Sequence, residues 1–123
     1  MNRIIKFRGK SITEDKWVYG DLSHRENPPT NVSPYAVNGY GVEPDTVGQF
    51  TGFFDKNNEE IYEGDIIEGI DIIFVVEYRV RWAAFVAIVG IADVEELGRF
   101  STQIMKKVGN IYDNPELIKK HEK

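Results

Sequence analysis

The chain has 123 residues and a mass of 14.1 kDa, and its 15 basic and 20 acidic residues give a formal net charge of −5. This length suits one domain, and a hydrophobic fraction of 41% is typical of a packed globular protein and excludes a disordered tail. The acidic balance argues against generic nucleic-acid binding, because neutralising phosphates requires clustered Lys and Arg. A local basic patch stays compatible with it.

The sequence contains no cysteine, which excludes disulfides, thiolate nucleophiles and cysteine-ligated zinc or iron–sulfur centres. The first residues, Met1 to Gly9, include three basic residues and no apolar stretch long enough for a signal peptide. The apolar run from Ile70 to Ala92 is interrupted by charged residues and makes a poor membrane span. We therefore expect a cytoplasmic protein without a membrane partner.

The first half of the chain alternates short β-prone runs with turns. Ile4–Arg8 and Lys16–Gly20 predict a hairpin with a long loop. The proline-rich stretch His24–Pro34 cannot continue a helix or a central strand and predicts a loop. Asn38 and Gly39 supply the two residues of positive φ that a type I′ turn demands, which predicts a small hairpin around them.

The second half continues the β pattern. Thr46–Phe53 and Glu59–Tyr62 predict two strands joined by a polar turn, in which we expect Asn58 to be left-handed. Ile72–Trp82 predicts a strand that begins buried and ends half exposed. Ala83–Val89 is apolar throughout and predicts a strand buried in the core or in a subunit interface.

Helix signals are few. Asp93 and Glu96 form a capping-box pattern that predicts a short helical turn, and Asn114 followed by Pro115 predicts the start of a short C-terminal helix. We therefore predict one mainly β domain over residues 1–123. It consists of N-terminal antiparallel β hairpins over residues 1–63, then a small SH3-like barrel with a short helix over residues 64–117.

Segments from both halves resemble the YopX proteins of bacteriophages and prophages in Gram-positive bacteria. The resemblance is carried by Ile5–Arg8 with Trp17–Asp21, Pro44–Gly52, Asp55–Asn58 through Ile61–Ile67, and Gly109–Leu117. The sequence departs from the family pattern at Asn58, where Gly is usual, and at Phe53 and Phe54, where Leu-Lys is commoner. The resemblance implies an SH3-like β fold and a phage protein inside the host cytoplasm. It implies no particular biochemical activity.

Acidic residues cluster in the middle of the chain and raise the question of an ion site. The cluster comprises Asp55, Glu59, Glu60, Glu63, Asp65, Glu68 and Asp71. Its spacing matches no metal loop, so a solvated turn and strand face is the favoured interpretation over a cation site. For Asp65, which follows a glycine, we expect hydrogen bonds to nearby backbone N–H groups.

Catalytic patterns are missing from the sequence. No serine lies in a nucleophile-elbow frame, and no glycine cluster is followed by the Lys-Ser/Thr of a phosphate loop. We therefore expect no enzymatic activity, no cofactor and no resident metal.

Two groups of residues are candidates for contacts with other molecules. Arg79 and Arg81 alternate along the exposed face of a strand that ends in Trp82, which suits a nucleic-acid or partner contact. Glu77 shares that face, and alternating charge is also ordinary protection of an exposed strand.

The second group is Phe85, Ile88 and Val89, which we expect to be buried at a homo-oligomer interface because the run containing them is apolar on both faces. The sequence thus favours a phage-encoded interaction module that self-associates and binds a host or phage protein. A nucleic-acid-binding SH3-like module is the alternative, and a metal-dependent hydrolase ranks third.

Overall fold

The computed structural model describes residues 3–90 and 93–119. The chain divides into two compact units, Met1–Phe50 and Thr51–Lys123. The strand Gly48–Phe54 crosses this division. The division follows residue 50 and thus precedes the border predicted from the sequence, which follows residue 63. The organisation of residues 1–123 as one family domain stays a prediction.

The first unit is built from short antiparallel strands. The elements are β1 (Phe7–Lys10), β2 (Trp17–Gly20), β3 (Leu22–His24), β4 (Tyr35–Val37), β5 (Tyr40–Gly41), a 3-10 turn (Pro44–Thr46) and β6 (Gly48–Phe54). Strand β1 pairs with β2 and with the start of β6, whereas β3, β4 and β5 form a separate three-stranded sheet. Val18, Val37 and Val42 form the buried core of this unit.

Both turn predictions for this unit are confirmed. Asn38 and Gly39 join β4 to β5 with φ values of 50° and 82°, the signs that a type I′ turn requires. The proline-rich stretch is a loop between β3 and β4, although His24 belongs to β3 and pairs with Tyr35. The aromatic rings of His24 and Tyr35 lie 4.8 Å apart, which explains why the strand extends to that histidine.

The second unit contains a curled antiparallel sheet that forms a half-barrel, in agreement with the mainly β fold predicted from the sequence. The elements are β7 (Glu60–Tyr62), β8 (Asp65–Gly69), β9 (Ile72–Arg79), β10 (Ala84–Val89), β11 (Asp93–Glu96), 3-10 turns (Leu97–Arg99 and Thr102–Ile104), β12 (Lys106–Asn110) and α1 (Glu116–Lys119). The strand order of the sheet is β11-β10-β9-β8-β12. The buried core of this unit comprises Ile61, Ile67, Phe74, Val76, Ala87 and Leu97.

One predicted helical turn is wrong. Asp93–Glu96 is strand β11, which pairs with β10 from Val89 opposite Asp93 to Val86 opposite Glu96. A capping box contributes only a local turn, whereas pairing along β10 gives the backbone a continuous hydrogen-bond ladder, so the tertiary partner decides the conformation. The C-terminal helix is confirmed, and the Leu117 N–H donates to the Asn114 carbonyl at 3.1 Å.

The Asp55 carboxylate ties its own turn to the last strand. Its Oδ1 atom accepts the backbone N–H groups of Asn57 at 2.8 Å and Glu59 at 2.9 Å. Its Oδ2 atom accepts the backbone N–H of Lys107, in β12, at 2.9 Å. Because the side chain is only 3% exposed, these bonds are shielded from water and hold the β6–β7 turn against β12.

Lys107 extends this connection through its side chain. The Nζ atom donates to the Glu60 carbonyl at 2.7 Å and lies 3.4 Å from Asp65 Oδ2. The same Asp65 oxygen accepts the Tyr62 N–H at 2.7 Å, which confirms the backbone-bonding role expected for Asp65. We call Asp55, Glu60, Tyr62, Asp65 and Lys107 the Asp55–Lys107 network.

Asn58 has a φ of 61°, which confirms the left-handed conformation predicted for it. Substitutions at this position test the energetic cost of that conformation. We expect Asn58→Gly to be nearly neutral, since relief of strain of up to about 1 kcal/mol is offset by added unfolded-state entropy. Asn58→Val should cost about 1 to 2 kcal/mol, because branching at Cβ resists this conformation. Denaturant melts compare the two variants, and equal stability of Val and Gly would contradict the assignment.

A second test concerns the charge of Asp55. Burial opposes ionisation of this carboxyl, but the N–H donors of Lys107, Glu59 and Asn57 and the Lys107 charge outweigh burial and lower its pKa below the ordinary 3.8. The resulting stability is therefore present above pH 3.8 and is lost as the pH falls through the folded-state pKa.

We expect Asp55→Asn to destabilise the protein by about 1 to 3 kcal/mol at neutral pH, and the difference from wild type to shrink in acid. Urea melts across the acidic range measure it. Asp45→Asn, at an exposed position, is the control and should change stability little. A gap that stays constant in strong acid would contradict a contribution from the ionised carboxylate.

Candidate functional site

The residues singled out for contacts all lie on one β hairpin. Strands β9 and β10 pair antiparallel, with Arg79 opposite Ala84, Glu77 opposite Val86 and Val75 opposite Ile88. Successive side chains of a strand point to opposite faces, so the hairpin has an inner face toward the barrel core and an outer face.

The hairpin tip is a tight turn over residues 80–83. The Trp82 N–H donates to the Arg79 carbonyl, and the Ala83 N–H donates to the Val80 carbonyl, both at 3.0 Å. Ala83 has a φ of 50°, a left-handed conformation that reverses the chain into β10. The predicted strand through Trp82 therefore ends at Arg79, and the predicted strand from Ala83 begins one residue later.

This turn corrects the placement of two candidate residues. Arg79 is the last residue of β9, but Arg81 and Trp82 lie in the turn and not on an exposed strand face. The local hydrogen bonds of the turn end the period-two alternation on which that expectation rested. The tip exposes 84% of Val80 and 42% of Trp82.

One arginine of the hairpin is paired with a carboxylate, and the other has no such partner in the part of the chain that the structure describes. Arg79 Nε lies 2.8 Å from Glu77 Oε1, and both side chains are about half exposed. Arg81, in contrast, makes no ion pair within residues 3–90 and 93–119. The tip therefore combines an apolar surface with a cation whose charge is not neutralised locally.

Phe85, Ile88 and Val89 are half-buried within the single chain, and their burial at a homo-oligomer interface stays a prediction. Phe85 and Val89 pack against the barrel core on the inner face, and the Phe85 ring meets the edge of Tyr78 at 5.3 Å. Ile88 lies on the outer face, opposite Val75. The three residues therefore do not form one surface, since the strand directs them to different faces.

The outer face carries an apolar groove of about 220 Å³. Its floor comes from Ile73, Val75 and Ile88, with Glu77 as its acidic residue. Ile111 and Ile118, from the C-terminal segment, form the opposite wall. The groove lies beside the exposed Glu77–Arg79 ion pair, so apolar and charged surfaces adjoin there.

The C-terminal wall of the groove is positioned by local hydrogen bonds. Asn110 Oδ1 accepts the N–H groups of Tyr112 and Asp113, each at 2.9 Å. A side chain at Gly109 would collide with that of Asn114, so only glycine lets the segment turn back over β12. This turn brings Ile111 to the groove.

The acidic cluster is not gathered into a metal site. Asp55 and Asp65 belong to the Asp55–Lys107 network, where backbone N–H groups and the Lys107 ammonium surround them. Within the described ranges, no group of three or more His, Cys, Asp and Glu side chains could hold a metal ion. No helix in that part of the chain is long and apolar enough to cross a membrane.

Sequence reasoning missed the exposed Val80 of the tip and most of the groove. The alternating pattern assigns Val80 to a strand, and its exposure follows from a turn that no Gly, Pro or Asn announces. Ile73 and Val75 belong to a strand segment that is apolar on both faces, which was the available signal for a partly uncovered outer face. Nothing local predicted the wall from residues near the C-terminus.

Comparisons with known proteins agree with this architecture. The family model described as YopX protein matches residues 6–119. Because this match spans nearly the whole chain, the chain belongs to the YopX family, as the sequence resemblance implied.

Among solved structures, the crystal structure of protein EF1440 from Enterococcus faecalis is similar, with a TM-score of 0.56 at 21% identity. The alignment covers 95% of this chain and 99% of that chain. At this identity the likeness shows a shared fold. A search of the curated proteins finds no match.

A matched pair of substitutions tests whether the tip contributes to stability. Val80 is 84% exposed, whereas Val76 is fully buried on the same strand pair. We expect Val80→Ala to change the free energy of unfolding by less than about 0.5 kcal/mol and Val76→Ala to cost about 2 kcal/mol. Urea melts measure both, and a comparable loss for Val80→Ala would show that the tip is part of the packed fold.

Proposed function

We propose that this YopX protein is a non-enzymatic interaction module, encoded by a phage or prophage, that self-associates and binds a host or phage protein in the bacterial cytoplasm. The observation that carries the proposal is the 84% exposure of Val80 beside Trp82 and Arg81 at the hairpin tip. Trp and Arg are enriched among the residues that dominate binding energy at protein interfaces.

The hydrogen bonding of the tip supports a role in recognition. The two 3.0 Å hydrogen bonds of the turn fix the backbone around Trp82. A preorganised anchor loses little conformational entropy on binding, so a short hairpin can contribute much of the affinity. The proposal of a non-enzymatic role is supported by the engagement of Asp55 and Asp65 in structural bonds.

A nucleic-acid-binding module is the second candidate, and the unneutralised Arg81 next to Trp82 favours it. An aromatic ring beside an arginine can stack on a base while the cation contacts phosphate. The net charge of −5 and the neutralisation of Arg79 by Glu77 weigh against it. We therefore rank it below protein binding.

One pair of assays distinguishes the two candidates. Affinity capture from phage-infected cells should retain a specific protein with the wild type, lose it with Trp82→Ala or Val80→Asp, and keep it with Ile104→Asp. Ile104 is a matched control because it is an apolar residue that is 74% exposed outside the hairpin. Capture that is unaffected by the tip variants would contradict the proposed binding surface.

The second assay is fluorescence polarisation with single-stranded and duplex DNA at low salt. We expect no salt-sensitive binding by the wild type. Affinity that falls with salt and disappears in an Arg79→Ala/Arg81→Ala variant would instead favour the nucleic-acid module.

A further inference from the structure

The outer face of β9 carries opposite charges two residues apart. Glu77 and Arg79 share this face, with 2.8 Å between their nearest polar atoms, and their side chains are 50% and 43% exposed. Such an exposed pair contributes little to the stability of the fold. Its charges can therefore rearrange toward another molecule at small cost.

We infer that this hairpin packs against the same hairpin of a second copy of the chain, antiparallel about a two-fold axis beside Tyr78. The hairpin tip of each copy then lies over the groove of the other. The inference rests on the self-association in the proposed function, and it adds the surface, the alignment and the residues responsible.

Charge complementarity favours this alignment. About an axis at Tyr78, Glu77 of one copy lies opposite Arg79 of the other, and the symmetry repeats the pair. A parallel alignment in register would instead bring like charges together, which is unfavourable. The strand sequence Glu77-Tyr78-Arg79 is therefore complementary to itself only in the antiparallel direction.

The same antiparallel alignment also brings the tip of each copy to the groove of the other. With Glu77 opposite Arg79, Val75 lies opposite Arg81, so the tip of one copy reaches the groove floor of the other. Val75 and Val80 are five residues apart, about 17 Å along a strand. The groove and the tip therefore lie far enough apart on one hairpin for both contacts to form at once.

The size of the groove suits a side chain better than a metabolite. Its volume of about 220 Å³ is below the range typical of small-molecule sites, roughly 300 to 1,000 Å³. Its floor and wall are aliphatic, and the exposed tip of the second copy offers Val80 and Trp82. Two hairpins bury a modest area, so we expect a reversible dimer at micromolar concentrations.

Sedimentation velocity over a concentration series tests the inference on the full chain. We expect the wild type to dimerise, and Glu77→Arg or Arg79→Glu alone to raise the dimer dissociation constant about tenfold or more, because each brings like charges together. The double variant Glu77→Arg/Arg79→Glu should restore it to within about threefold of wild type. Trp82→Ala should weaken the dimer while leaving the circular dichroism unchanged.

Glu26→Arg and Arg25→Glu are the matched controls. They make the same charge changes at exposed positions in the loop between β3 and β4, and they should leave dimerisation unchanged.

Each other outcome overturns the inference in a recognisable way. If the wild type stays monomeric, both this inference and the proposed self-association are wrong. The proposed binding of a host or phage protein is unaffected by that result. A dimer that responds to the hairpin variants no more than to the controls would use another surface. Folded single variants that dissociate, with no recovery in the double variant, would exclude the antiparallel pairing.

Discussion

The second unit depends on a small set of buried polar contacts that join segments far apart in sequence. Asp55 accepts the backbone N–H of Lys107 across a separation of 52 residues, and the Lys107 side chain returns to Glu60 and Asp65. A buried carboxylate is costly unless its oxygens have partners, so these groups are stable only when both segments are in place. The network therefore fixes where β12 closes the sheet, and the register of β8 follows from it.

The division between structural and exposed polar groups bears directly on function. Two of the carboxylates that first suggested an ion site, Asp55 and Asp65, hold segments of the second unit together, and Asp65 is only 1% exposed. The charged side chains of the β9–β10 hairpin have no comparable structural task. Side chains on such a surface can be substituted during evolution without unfolding the protein, so its binding partners can change. This property suits an interaction module.

Local sequence patterns predicted the parts of this fold that depend on local forces. The turn residues Asn38 and Asn58 adopt the left-handed conformations expected of them, and the predicted β runs overlap observed strands, although the first strand is Phe7–Lys10 where Ile4–Arg8 was predicted. The sequence failed where a distant segment decides. Asp93–Glu96 has a helical capping pattern, yet pairing with β10 makes it a strand.

The candidate site shows the same limit. Arg81 and Trp82 were found from composition and alternation, but their position in a turn depends on hydrogen bonds to Arg79 and Val80 that no turn-forming residue announces. The role of Lys107 was also invisible, because a lysine beside an exposed Lys106 looks like ordinary surface. Its contacts with Glu60 and Asp65 join segments more than 40 residues apart, and β12 has a bulge between Lys107 and Gly109, so they could be recognised only in three dimensions.

The long separation between Asp55 and Lys107 also affects how the protein is made. During synthesis, β6, β7 and β8 leave the ribosome well before Lys107, and the chain grows at about 5 to 20 residues per second. In that interval the Asp65 carboxylate lacks the lysine that neutralises it in the finished barrel, so it favours hydration over burial. On the nascent chain, the contacts of Lys107 with Asp55 and Asp65 can therefore form only after the last strand has emerged.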